Sequence, residues 1–218
     1  MVRFSNRAFT LIELLVVITV IGLLVGLAVP AIGTALQRAK LTKSLSNLRQ
    51  MGLALQLYGG ENNYSLPPRV SSNQRSEKWP ALIYEYLNNP QAYLDPVDAA
   101  NYRLTESDII SGTGSNKSSY LINGFNDLGT LSDPALSVSL LRIPDQSNTI
   151  LMGKKYVARG DYYMDVDEGG GDHNTVLDWI TYNNKANFYF ADGSVRTYKK
   201  DDYQPQLWLV NKDYEIKP

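Results

Sequence analysis

The sequence contains no cysteine and only one histidine, His173. Without cysteine the chain can form neither disulfide bonds nor cysteine-based metal sites. It also lacks an excess of either charge, because 21 Lys and Arg face 22 Asp and Glu, for a formal net charge of −1. A chain so close to neutrality has no basic surface of the kind that nucleic acid requires. We therefore predict no nucleic-acid partner.

The familiar catalytic patterns are also missing. No Gly-rich phosphate loop, HExxH helix or nucleophile elbow occurs in the sequence. His173 follows a glycine run, where a histidine in a surface loop is the simpler interpretation. We predict that the chain is not an enzyme. An anchored hydrolase that depends on His173 is the weakest alternative, because triads assemble across a fold and leave no local signature; loss of activity in His173→Ala would identify it.

One long apolar run dominates what is present. From Leu14 to Leu36 there is no charged side chain. About 20 apolar residues are enough for a helix to cross a bilayer, where the backbone must satisfy its own hydrogen bonds. Glu13 lies at the start of this run, where an unpaired carboxylate costs several kcal/mol or so and usually has a function. Arg3 and Arg7 precede it, and we expect no partner for Glu13 within its own helix.

The residues AFTLIELLVVI, from Ala8 to Ile18, resemble the processing site of type IV pilins and of type II secretion pseudopilins. The resemblance implies that a prepilin peptidase removes residues 1–8 and that Phe9 becomes an N-methylated amino terminus. It also implies that Glu13 pairs with the terminal amine of a neighbouring subunit. Ala8 departs from the family pattern, which usually has glycine before the cut, but alanine is also small and we expect slower or unchanged processing, not its loss.

The same resemblance implies partners and a location. The partners are further copies of the chain or other pilins and pseudopilins, the prepilin peptidase, and the assembly platform of the inner membrane. The basic leader predicts a cytoplasmic amino terminus by the positive-inside tendency, with the head outside the inner membrane or in a surface fibre. The predicted function is therefore that of a structural subunit of a pilus-like fibre or pseudopilus.

Three other interpretations of the amino terminus stay open. A simple uncleaved signal anchor would let Glu13 reach the headgroups. A cleaved secretory signal usually has an apolar region of about 7–15 residues and a small-residue cleavage site, whereas this run is longer and has no such site at its end. The third is a membrane-anchored binding module that uses the processing signal as an address and never polymerises.

The apolar helix, predicted over residues 9–36, should continue over residues 37–60. In this continuation apolar positions recur at alternating steps of four and three, which places them on one face of a helix: Leu41, Leu45, Leu48, Gly52 and Leu55. Gly59-Gly60 should end the helix. Gly22, Gly26 and Pro30 lie inside it, and Pro30 should bend or locally melt it.

Residues 61–218 should form an α+β head. We predict a short helix over residues 79–87, strands over 118–123, 148–153 and 206–210, and a hairpin in which Asp192-Gly193 is the turn. Successive strands with short connections predict a small antiparallel sheet, with one face against the helix. The predicted fold is a long amino-terminal helix packed on this sheet, as in pilins.

Two further segments refine the resemblance. Residues 46–68 and 186–195 resemble those of a large family of bacterial pilin-like paralogues, which usually carry a histidine, nine residues and then Asp-Gly. Tyr182 occupies the histidine position here, so the role of that histidine cannot be transferred to this chain.

A cluster of carboxylates surrounds the glycine run 169–171: Asp161, Asp165, Asp167, Glu168 and Asp172. Carboxylate and carbonyl oxygens on a flexible loop are the ligands that Ca²⁺ prefers. Some pseudopilins bind calcium in a carboxy-terminal loop, so the resemblance supports this hypothesis. Val176, however, stands where an EF-hand would place its last ligand. The alternative is an acidic loop without a ligand, and no other cofactor is predicted.

Overall fold

The computed structural model describes residues 10–70, 77–112, 118–130, 132–133, 136, 138–167 and 172–216. Ala8, Phe9 and Glu168 lie outside these ranges. The chain divides into two compact units, residues 1–39 and 40–218. We refer to the second unit as the head.

One helix, α1, runs from Leu11 to Glu61. In the first unit its large apolar side chains are exposed, from 46% for Val17 to 86% for Leu11. The helix is long and apolar enough to cross a membrane, with a mean hydropathy of 2.8 in its most apolar window. It is continuous through Gly22, Gly26 and Pro30. Of the two effects predicted for Pro30, local melting does not occur, because the helix continues through it; the bend stays a prediction.

The end of α1 also differs from the prediction. Gly59 and Gly60 are both helical and do not cap it. The chain instead turns at Asn63 and Tyr64, whose φ values of 55° and 58° are left-handed. The amide of Tyr64 donates to the Gly59 carbonyl at 2.6 Å, so backbone bonds close the helix end that glycine was expected to close.

Within the head, α1 buries the predicted face. Leu48, Met51 and Leu55 are fully buried. Gly52 is buried among them, while Leu41 and Leu45 at the start of the face are half-buried. The alternation of three and four residues therefore predicted the packed face correctly.

The sheet has five strands: β1 Tyr120–Asn123, β2 Ile150–Lys154, β3 Tyr163–Met164, β4 Lys185–Phe190 and β5 Val195–Lys199. Their order is β3-β1-β2-β4-β5. Neighbouring pairs are antiparallel except β1 with β3, which is parallel. The α+β class is confirmed, but the sheet is mixed and not purely antiparallel. A strand of two residues carries no period-two pattern by which the sequence could reveal it.

The remaining described helices are short. The α-helices are α2 Trp79–Leu87, α3 Glu106–Ile110 and α4 Asp172–Thr175. Turns of 3₁₀ helix occupy Pro90–Tyr93, Asp98–Ala100, Asn126–Leu128, Leu140–Arg142, Gln146–Asn148, Lys200–Asp202 and Pro205–Trp208. The helix at Trp79 is confirmed. The strand predicted over 206–210 is wrong, because Pro205 opens a 3₁₀ turn that buries Trp208.

The hairpin β4–β5 is confirmed. Gly193 takes the left-handed conformation that its turn requires, with φ of 84°. Asp192 accepts a hydrogen bond from the amide of Ser194 at 2.9 Å and forms an ion pair with Arg196 at 2.8 Å. Asp192 is thus a turn residue, as the sequence indicated.

Candidate functional site

Glu13 is held in the first turn of α1 by Thr10. The amide and the hydroxyl of Thr10 both donate to Oε2 of Glu13 at 2.8 Å, and the amide of Glu13 lies 3.2 Å from the Thr10 hydroxyl. This reciprocal arrangement is a capping box, which satisfies amides that a helix start leaves unpaired. The expectation that Glu13 has no partner within its own helix is therefore wrong. The sequence signal for this capping box is the T-x-x-E spacing of Thr10 and Glu13.

The capping box leaves the charge of Glu13 unbalanced. Over the ranges that the structure describes, no cation forms an ion pair with it. Both bonds from Thr10 reach Oε2, so the other oxygen faces no donor among the same residues. The cleavage site itself, Ala8 and Phe9, lies outside the described residues.

Tyr182, at the position of the motif histidine, joins the sheet side of the head to α1. Its hydroxyl donates to Oδ1 of Asp95 at 2.7 Å and lies 3.3 Å from the carbonyl of Lys40. Burial and the neighbouring Asp95 carboxylate raise the pKa of Tyr182 well above its usual range. Asp95 is fully buried, and its Oδ2 has no hydrogen-bond partner in the part of the chain that the structure describes.

Further polar bonds reinforce this junction. The hydroxyls of Ser44 and Tyr120 lie 3.2 Å apart, and Asn47 donates to the Leu94 carbonyl at 2.9 Å. All three side chains are buried. They fix the start of the packed part of α1 by directional bonds as well as apolar contacts. The sequence did not reveal this junction, because residues so distant in the chain share no local pattern.

Two buried lysines lie at the end of β2: Lys154 is its last residue and Lys155 follows it. Lys154 is fully buried and pairs with Asp178, and its Nζ lies 3.6 Å from Asp98. Lys155 is 1% exposed and donates to the carbonyl of Arg159. Burial lowers the pKa of Lys155 to about 8. Sequence reasoning missed this cluster, although two lysines directly after a buried strand are an unusual pattern.

The acidic residues proposed for calcium are largely engaged elsewhere. Asp165 forms a two-pronged ion pair with Arg69, one bond being 2.7 Å. Asp167 accepts from the hydroxyl of Tyr214, and Asp172 accepts from the amide of Asp165 at 3.1 Å. Within the described ranges no three acidic or histidine side chains are placed to hold a metal. Asp161 acts on Lys155 through its charge. The calcium site stays a prediction. A rise in the melting temperature of the protein at millimolar calcium would support it.

His173 has few contacts that a catalytic role requires. Its Nε2 lies 3.1 Å from the side-chain amide nitrogen of Asn174, and its Nδ1 is buried without a hydrogen-bond partner among the described residues. Partial burial lowers its pKa. A catalytic base needs an orienting acid and a nucleophile within reach, and the hydrogen bond that His173 makes to a described residue is to neither.

Comparison with known proteins agrees with the amino-terminal geometry. Residues 3–29 match the family model of the prokaryotic N-terminal methylation motif. The chain is 33% identical over 91 residues to the type II secretion system core protein G of Pseudomonas aeruginosa, which covers 42% of this chain and 59% of that protein. It is 30% identical over 103 residues to the protein of the same name from Pectobacterium carotovorum subsp. carotovorum, covering 47% and 62%.

The chain thus spans about three fifths of the length of these curated relatives. No solved structure matches the chain. The resemblance of residues 8–18 to a prepilin processing site is confirmed by the match of residues 3–29 to the methylation motif. The chain carries a prepilin-type methylation motif that overlaps the start of a long apolar helix, and it is similar to type II secretion core proteins over less than half of its length.

Proposed function

We propose that this chain is a structural, pilin-like subunit that assembles into a type II secretion pseudopilus or a related pilus-like fibre. The observation that carries the proposal is the methylation motif at residues 3–29, which includes the start of the apolar helix α1. In this proposal a prepilin peptidase cuts between Ala8 and Phe9, and Phe9 is then N-methylated. Residues 1–8 are the leader, and residues 9–60 are the helix by which the subunits assemble.

Glu13 is proposed to receive the terminal amine of a neighbouring subunit. Thr10 holds one carboxylate oxygen, Oε2, through two hydrogen bonds. This leaves the second oxygen for a donor outside the described chain. In a medium of low dielectric an ammonium ion there would be attracted far more strongly than in water, and it would offset the cost of placing the carboxylate in lipid.

Helix packing is proposed to supply the rest of the assembly energy. The apolar side chains of α1 in the first unit are exposed in the single chain and must be covered by lipid or by other helices. In the head, the helix face turned away from the core still carries Leu53 and Leu57, which are 54% and 57% exposed. Exposed leucines at a spacing of four residues form a continuous apolar strip on a helix, and such a strip suits a neighbouring subunit.

The proposed setting is the bacterial inner membrane, crossed once by α1. The amino terminus would be cytoplasmic and the head would lie outside the membrane. The prepilin peptidase, the assembly platform and other pseudopilins are the proposed partners. A surface fibre is the alternative form of the same assembly.

The proposal is tested on the protein from its native membrane. Mass spectrometry should find a chain that begins with methylated Phe9. Glu13→Ala should abolish assembled fibres or pseudopili, and Glu13→Gln should do the same although glutamine can still bond to Thr10, because the pairing requires the charge. Cleavage followed by assembly in both variants would contradict the pairing. If the unaltered chain is cleaved but does not assemble, an anchored binding module is favoured. A chain that still begins at Met1 would contradict cleavage by the peptidase.

A further inference from the structure

The head carries an apolar cavity of about 270 Å³ at one end. Leu128, Val138, Ile143 and Val210 are among its lining residues, with Ser139 and Arg142 at its polar side. It is smaller than the roughly 300–1,000 Å³ typical of small-molecule sites. One or two apolar side chains from another protein surface would fill such a cavity.

Ile180 is the most exposed large apolar side chain among the described residues of the head, at 77%, yet its turn is firmly held. Oδ1 of Asp178 accepts from the amides of Ile180 and Thr181, each at 3.0 Å. Trp179 and Tyr182 on either side are buried. A side chain presented by a fixed turn loses little conformational entropy when it docks.

The cavity and Ile180 lie at opposite ends of the head. Tyr182, two residues from Ile180, contacts the carbonyl of Lys40 at the start of the head. The cavity residue Ser139 pairs with Ser65, just beyond the end of α1 at Glu61. At 1.5 Å per residue, the helix carries the chain about 30 Å between these two places.

Ile180 therefore cannot enter the cavity of its own chain. In two copies stacked along the helix axis, the Ile180 end of one head would face the cavity end of the next. A projection and a pocket on different surfaces of one molecule make a heterologous contact, which propagates as an open helical array when the rotation does not close.

We propose that Ile180 docks in the apolar cavity of a second copy of this chain, so that successive heads contact one another end to end. This inference rests on the proposed function and deepens it by naming a contact between heads. Ile180 acts as an apolar anchor in a pocket, the arrangement that dominates binding energy at protein interfaces.

The absence of cysteine makes the contact directly testable in the full chain. The double variant I180C/S139C, oxidised in native membranes, should give a ladder of disulfide-linked multimers that collapses on reduction. Each single variant should stay monomeric, and a mixture of the two should give dimers only. The matched control is S139C/K199C, which places the second cysteine on the exposed Lys199 of β5 and should give no ladder.

Each other outcome overturns the inference in a recognisable way. Assembled fibres without a ladder would leave the proposed function intact and exclude this contact. Dimers of I180C alone would show a symmetric contact between two turns. A crosslink to a different protein, identified by mass spectrometry, would assign the cavity to another partner. An unaltered chain that does not assemble would contradict the proposed function and this contact together.

Discussion

Gly52 lies where α1 passes closest to the sheet. A Cβ added there would lie 2.1 Å from Cε2 of Tyr189, a ring that is 1% exposed and therefore cannot swing aside. Gly52→Ala should lower the free energy of unfolding by about 1–3 kcal/mol through overpacking, despite the gain of about 1 kcal/mol in helix propensity. Thermal or urea unfolding of the purified chain measures the change.

Gly60 provides the matched control, because it is also helical and exposed. A Cβ there would have no heavy atom within 4 Å. Gly60→Ala should stabilise the chain by about 1 kcal/mol. Equal effects of the two substitutions would contradict the close approach of Tyr189 to α1.

Tyr182 should matter for stability because its hydroxyl serves a buried carboxylate. Tyr182→Phe removes the 2.7 Å bond to Oδ1 of Asp95 and leaves that oxygen with the amide of Val97 at 3.0 Å. Oδ2 of the same carboxylate has no partner among the described residues. Removing one partner of a buried polar pair costs about 1–3 kcal/mol. Tyr64→Phe is the control, because Tyr64 is 53% exposed; a similar loss in both variants would show that the Asp95 bond is not responsible.

At the scale of elements, the end of β2 should make stability depend on pH. Burial lowers the pKa of Lys155 to about 8, whereas a lysine in the unfolded chain titrates near about 10.4. Between these values the unfolded state binds more protons, so stability rises with pH. Because Lys155 is still half protonated in the folded state at pH 8, the gain from pH 8 to about 9.5 should be about 1.5 kcal/mol, somewhat less than the full slope of about 1.36 kcal/mol per unit would give.

Denaturation with urea at each pH measures this slope. Lys155→Met should remove it, since methionine has no proton to lose. Lys199→Met, on an exposed strand position, should keep it. The range stops near pH 9.5 because tyrosine ionisation intervenes above it. A slope that survives in Lys155→Met would mean that another group titrates there.

Local patterns predicted the elements that carry them. The face of α1 at Leu48 and Leu55, the helix opened by Pro80 and the hairpin at Asp192-Gly193 each have a complete signal within a few residues. The short parallel strand β3 and the 3₁₀ turn at Pro205 do not. Their conformations depend on pairing and burial against distant segments, and tertiary context overrides weak propensity.

The residues of the candidate site divide in the same way, into those that a local pattern predicts and those whose arrangement depends on the folded head. Phe9 and Glu13 belong to one contiguous motif, so the sequence alone predicts their roles, and the T-x-x-E spacing also indicates the bond from Thr10. The junction of Tyr182 with Asp95 joins segments 87 residues apart. The Lys154–Asp178 pair and the cavity near Ser139 likewise depend on the folded head, so reasoning from local pattern could not place them.

Assembly of the whole molecule should depend on the exposed strip of α1 in the head. Leu53→Glu places a carboxylate where the proposed function has a neighbouring subunit, and a buried unpaired charge costs several kcal/mol or so. We expect the yield of assembled fibre to fall at least about tenfold, which corresponds to about 1.4 kcal/mol per contact. Because Leu53 is 54% exposed in the single chain, the melting temperature should change by less than about 2 °C.

Two control variants separate loss of apolar contact from added charge. Gln56→Glu introduces the same carboxylate at an exposed position of the same helix and should assemble nearly as well as the unaltered chain. Leu53→Met keeps an apolar side chain of similar volume and should assemble normally. Sedimentation of sheared or detergent-extracted assemblies quantifies all three. If Leu53→Glu assembles as well as Leu53→Met, this face of α1 lies outside the subunit contact, and the helices must pack through another surface.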